Sequence, residues 1–182
     1  MNLSKAEKLI LIMLSDLHTK LKVEGDIDPD FVRSAIFTDN LWGLEWKYTG
    51  IFEGGETPAH VRELCDILGM WDCLELSWER LSPSDRADVA ADAAPFGGDV
   101  RFPGFDGNHE GEYLNAMAFL VDELDRFSRF KGRESLNSHM PSLETHRRME
   151  TAFKAIRPSL DSGTMSATQI AKVMKARAYP GT

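Results

Sequence analysis

The chain has 182 residues, of which 42% are hydrophobic and 27% charged, and a formal net charge of −8. Those values suit a single globular domain over 1–182 with a core large enough to fold without staples. They oppose wholesale nucleic-acid binding, which depends on neutralising phosphates, and no apolar run approaches the ~20 residues that span a bilayer.

At the N-terminus, Ser4-Lys5-Ala6-Glu7 spells a capping box, in which hydroxyl and carboxylate each satisfy a free backbone N–H. Ala6, Leu9, Ile10, Met13, Leu14, Leu17 and Leu21 follow at helical spacing, one apolar stripe over five turns. The run from Leu9 to Leu17 lacks a small-residue cleavage site, so it predicts a helix rather than a secretory signal. A cytoplasmic setting is expected. Leu9 to Leu14 is apolar nearly all round, so this helix should be covered on more than one face. That predicts a homo-oligomer, most simply a two-fold dimer, with Ile12 on the side that meets the partner.

Asp28-Pro29 offers a cap and a proline at the first helical position, predicting a helix through about Phe37. Trp42 and Trp46, four apart, share a face if a short helix forms there, and core packing is expected of them rather than a cationic cage. After the Glu53–Glu56 loop, Thr57-Pro58 restarts a helix whose stripe runs through Val61, Leu64, Leu68, Trp71, Leu74, Trp78 and Leu81. It should be about 35 Å long and form the spine of the core. Gly69 inside it suggests the close approach of a neighbouring helix. Cys65 and Cys73 lie on the same helix, about 12 Å apart along its axis and too far for a disulfide. Buried, unbridged thiols fit a reducing compartment.

The segment from Ser82 to Asp99 predicts a small-residue acidic connector holding a helical turn or two. Residues 100–106 predict an extended segment, because the residue before Pro103 is biased away from helix. A long helix is then expected through Tyr113, Met117, Leu120, Leu124 and Phe127, as far as Phe130. A loop precedes a further amphipathic helix carrying Leu143, His146, Met149, Phe153 and Ile156. Ser166-Ala167-Thr168-Gln169 is a second capping box, opening a last helix. No internal repeat and no β alternation stand out, so the fold class is all-α: one multi-helix domain with one extended segment.

Asp106-Gly-Asn108-His-Glu110-Gly111 begins like a calcium-binding loop, but the twelfth position is Met117, a poor ligand for a hard cation. The alternative is a helix N-terminus, with Asp106 or Asn108 as cap and Glu110 and Glu112 in the first turn. His139 and His146 lack a third ligand at zinc spacing. No metal and no cofactor is therefore expected, and His146 on an apolar stripe is expected to be a core histidine bonded to a carbonyl.

"VRFPGFDGNHEGEYLNAMAFLVDELDRF" and "LNSHMPSLETHRRM", with "LSKAEKLILIML" and "VRELCDILGMWDCLELSWERL", resemble the YfbU family of bacterial helical proteins. The resemblance covers most of residues 3–177, and the Phe102–Asp106 segment with Tyr113 is its most specific part. It implies a helical, cytosolic, self-associating domain with a regulatory or ligand-binding role.

The residues supply one polar constellation: Arg101, Asp106, Asn108 and Glu112 on one loop, Asn137 and His139 on another. Together they would offer a carboxylate, a histidine and amides to a small ligand. The two loops stand at opposite ends of the expected long helix, about 30 Å apart, so they would meet only across an antiparallel dimer. Three functions follow from these elements. The favoured one is a non-catalytic domain that binds itself, a partner protein or a small ligand. The second is a hydrolytic enzyme using Asp106 or Glu112 with His139 across a subunit interface. The third is a regulator touching nucleic acid through residues 126–182, which hold 11 basic and 4 acidic side chains against 10 and 25 in residues 1–125. Internal docking of that basic third on the acidic body is the plainer expectation.

Overall fold

The computed structural model describes residues 2–52, 55–160 and 162–178. Two positions of the expected Glu53–Glu56 loop, 53 and 54, lie outside the described residues. Among the described residues the chain forms eight α-helices and no strand, so the fold is all-α.

Local signals place most helix starts. The reciprocal box of Ser4 and Glu7 opens α1, Lys5–Leu21. The Asp28 carboxylate accepts from the Asp30 and Phe31 N–H groups at the head of α2, Pro29–Phe37. Trp42–Lys47 is the short α3, with its two indoles edge to face at 5.0 Å. The spine, α4, is Ala59–Arg80. The expected connector is in fact a ten-residue helix, α5 (Pro83–Asp92), because Ser82-Pro83 repeats the cap-and-proline signal of Asp28-Pro29. Then come α6 (Gly111–Ala118), α7 (Leu143–Ile156) and α8 (Ala167–Lys175), the last opened by the Ser166–Gln169 box.

The spine is covered by α6, α7 and α8, while α5 packs on α8 and α1 rests on α2. Val61, Leu64, Leu68, Trp71 and Leu74 of α4 are wholly buried. The extended segment crosses this core beside an aromatic cluster. Phe102 lies within 6 Å of the rings of Trp71, Phe105, Phe130 and His146. A buried ion pair fixes it there: Glu75 of α4 accepts from the Phe102 N–H at 2.8 Å and from Arg133 at 2.6 Å. With both carboxylate oxygens partnered, the charge is tolerated inside the fold.

The structure also corrects three expectations about α1, α4 and α6. The long helix to Phe130 does not form: α6 passes into a π-turn at Phe119–Glu123 and stops. Asp125 turns left-handed, and the Arg126 N–H bonds back to the Leu120 carbonyl at 2.9 Å, a glycine-free version of a common helix stop. The reversal lets Phe130 reach Phe102, 5.4 Å away, and that burial replaces the helical stripe. At Gly69 no neighbour approaches; a Cβ there would meet nothing within 4 Å. Finally, Ile12 of α1 points inward and packs against the core with Leu11, so it does not lie on an outer face.

Candidate functional site

The broken helix brings together, within one chain, the two loops expected to meet only across a dimer. Phe105 bridges Asn137 in parallel: the Phe105 N–H donates to the Leu136 carbonyl at 3.2 Å, and the Ser138 N–H to the Phe105 carbonyl at 3.0 Å. The approach requires glycine at position 104, whose φ is +89° and whose Cβ would sit 2.0 Å from the Leu136 oxygen. The Asn137 side-chain oxygen then accepts from Gly107 at 3.1 Å and from His139 at 2.8 Å, tying both loops to one amide.

Asp106 is buried and organises this turn without capping α6. Its carboxylate accepts from the Asn108 N–H at 3.2 Å and contacts His109, and its carbonyl accepts from the Glu110 N–H at 2.8 Å. The His109 hydrogen bond holds the Asp106 carboxyl below the usual carboxylate range against the opposing effect of burial, with His139 adding a smaller attraction. Glu110 has the larger structural role, one that its place in the sequence did not reveal. Its carboxylate accepts from the N–H groups of Asp106, Ser142 and Leu143, and from the Ser142 hydroxyl, all between 2.7 and 2.8 Å. Burial opposes its charge, yet these donors outweigh it and keep Glu110 ionised below its ordinary range. A carboxylate 32 residues upstream thus serves as the N-terminal cap of α7.

His146 is the expected core histidine. Its Nε2–H donates to the Gly104 carbonyl at 3.1 Å, and its Nδ1 accepts from the Trp71 indole at the same distance. Burial pushes its pKa down to about 4, so it is neutral at pH 7. The second turn of α7 adds Arg147, which grips Glu63 of α4 at 2.7 Å beside a hydrogen bond from the Tyr113 hydroxyl to the same carboxylate. Burial and then the Glu63 charge raise the Tyr113 phenol to about 12.

Of the six expected ligand residues, Asp106, Asn108, Asn137 and His139 belong to this junction, and His109 joins them. Glu112 stands exposed in the first turn of α6. Arg101 lies elsewhere, in a cleft of about 480 Å³ with Arg86, Arg129 and Arg133. A second cleft, of about 430 Å³, runs along α4 past Cys65, Gly69 and Cys73 to Phe153 and Arg157. The thiols are unbridged, as expected, but half-buried on this cleft wall and not inside the core. Burial pushes the Cys65 thiol up to about 11 and raises Cys73 as well, which lowers the thiolate fraction of both. The calcium-like loop diverges, since Met117 is fully buried and Glu110 turns away to α7. Among the described residues no helix is long and apolar enough to cross a membrane.

The basic C-terminal third docks on acidic side chains of the preceding helices. Arg129 meets Asp72 at 2.7 Å, Lys154 meets Asp66 at 3.2 Å and Lys175 meets Asp92 at 2.8 Å, alongside the Arg133–Glu75 and Arg147–Glu63 pairs. By contrast, the apolar stripe of α1 is open: Leu9, Ile10, Met13, Leu14, Leu17 and Leu21 are each 54–71% exposed. A model of the YfbU domain matches residues 1–176 of the 182, and the chain belongs to the YfbU family.

Proposed function

We propose that the protein is a non-catalytic binding domain, acting as one unit over 1–182 in the cytoplasm, and that it self-associates through α1. The observation that carries this reading is the exposed stripe of α1. Contiguous apolar surface of that extent is uncommon on a monomer and marks an interface. Ala6, Ile10, Met13 and Leu17 follow alternating spacings of four and three, the seam of a paired helix. A second copy presenting the same face covers it by two-fold symmetry, with no other partner needed. The opposite face of α1 already has its partner: Leu11 and Ile12 pack inward, and Lys8–Asp39 and Asp16–Arg33 pairs flank the contact.

The other two readings have less support. Asp106, one of the carboxylates proposed to work with His139, is buried and engaged by the Asn108 N–H and by His109, and the five basic residues that dock on the acidic body are drawn away from any phosphate partner. Light scattering at tens of micromolar should give the mass of a dimer. Met13→Glu should give a monomer with unchanged helical circular dichroism, whereas Ile12→Glu should damage the fold. A monomeric wild-type protein, or a Met13→Glu variant that remains dimeric, refutes the proposal.

A further inference from the structure

The cleft that contains Arg101 has an unusual charge inventory. Its walls come from the end of α4, from α5, from residues 99–101 and from the turn at Ser128–Phe130 with the residues after it. Four guanidiniums line it, and two of them are neutralised inside the fold. Arg133 is held by Glu75, and Arg129 is shared between Asp72 at 2.7 Å and Glu79 at 2.9 Å. Arg86 is different. It donates to the backbone carbonyls of Trp78 at 3.1 Å and Glu79 at 2.8 Å, which orient it at the C-terminal end of α4, with no carboxylate partner among the described residues. Arg101 has no partner among the described residues and is exposed at the rim. Asp99 is the remaining acid of the lining.

We propose that this cleft binds a small organic oxyanion, a phosphate or carboxylate compound, between Arg86 and Arg101. Arg86 is fixed in place before any ligand arrives, because its carbonyl contacts and its position over the Trp78 ring at 5.5 Å set its plane. The donors not bound to those carbonyls remain for a planar or tetrahedral anion, the geometry a guanidinium fork matches. Arg101 supplies a second guanidinium to the same lining. The volume of about 480 Å³ exceeds that of inorganic phosphate and falls in the range of small-molecule sites. Arg133 balances Glu75, and Arg129 offsets one of the two charges of Asp72 and Glu79, so Arg86 and Arg101 must outweigh the other and Asp99 for the ligand to bind.

The test is calorimetry and thermal shift at constant ionic strength, with pyrophosphate in one arm, citrate in another and sodium chloride as the reference. Pyrophosphate or citrate should raise the melting temperature where chloride does not, as mass action requires of a bound ligand. The stronger arm identifies the phosphate or carboxylate class. Arg101→Ala should weaken binding at least tenfold while leaving the fold intact, and Arg101→Lys should restore only part of it. Lys5→Ala, which removes a cation on α1, should leave affinity unchanged. The proposal is overturned if neither anion exceeds chloride, if Arg101→Ala binds as tightly as wild type, or if Lys5→Ala weakens binding as much as Arg101→Ala does.

Discussion

Two helices of this protein carry long apolar stripes, and their surroundings differ. The stripe of α4 is enclosed on several sides: Val61, Leu64, Leu68, Trp71 and Leu74 are wholly buried. That of α1 faces solvent, and the residue of α1 that is buried is Ser15, whose hydroxyl bonds back to the Leu11 carbonyl at 2.8 Å. Periodicity therefore reveals that a helix has an apolar face without saying whether its own chain covers that face. Folding covers the stripe of α4, and the stripe of α1 is left exposed.

The largest expected contrast is between equivalent truncations on the two helices. Trp71→Ala should cost about 3–5 kcal/mol, since it opens a core cavity and strips His146 of its indole donor. Leu14→Ala, at a site 54% exposed, should change monomer stability by no more than ~0.5 kcal/mol. Urea denaturation at low protein concentration measures both. Comparable losses at the two sites would mean that α1 is ordinary core.

A second test uses acid, because the histidine paired with Trp71 lies against the α4 core. Its folded pKa of about 4 lies below its ordinary value of 6.5. Unfolding therefore takes up a proton between those values. The His146 contribution is complete above pH 6.5, falls as the pH drops, and levels off below about 4. The full loss is roughly 3 kcal/mol at 1.4 kcal/mol per unit. Glu63 and Glu110, whose carboxyls are lowered from 4.5, act in the same direction but lower in pH. His146→Gln should flatten urea midpoints between pH 6.5 and 4.5. An unchanged slope would place the titrating group elsewhere.

The smallest effect concerns the cleft wall of α4. Gly69→Ala should stabilise the protein by ~0.5–1 kcal/mol, because a helical glycine is replaced and the added methyl meets nothing within 4 Å. Chemical denaturation midpoints resolve that gain. A loss instead would show that something packs along the cleft between Cys65 and Cys73.

Much of the architecture was legible because helix starts are local. Ser4, Asp28 and Ser166 each cap a helix from within three residues, and His146 could be assigned to the core from its place on a stripe. Ser82-Pro83 carries the same signal, which the small, acidic residues after it obscure. The candidate site was half legible. Asp106, Asn108, Asn137 and His139 were picked from residue type, but their meeting depends on the stop after α6, where Asp125 turns left-handed without a glycine to mark it. His109 was open to discovery from its spacing of three from Asp106. Glu110 was not, since its partners lie 32 and 33 residues away.

By itself the sequence determined the helical class, most helix starts, the absence of a bridge between Cys65 and Cys73, and the two-faced character of α1, all from interactions within a few turns of chain. Tertiary structure alone decided which face of α1 stays open, that the loops at Gly104 and Leu136 touch within one chain, and that Arg101 joins Arg86 and not Asp106. The physical reason is range. Caps and stripes act over one to five turns, whereas the tertiary outcomes rest on contacts between segments distant along the chain, such as Phe102 on Trp71 and Phe130 on Phe102.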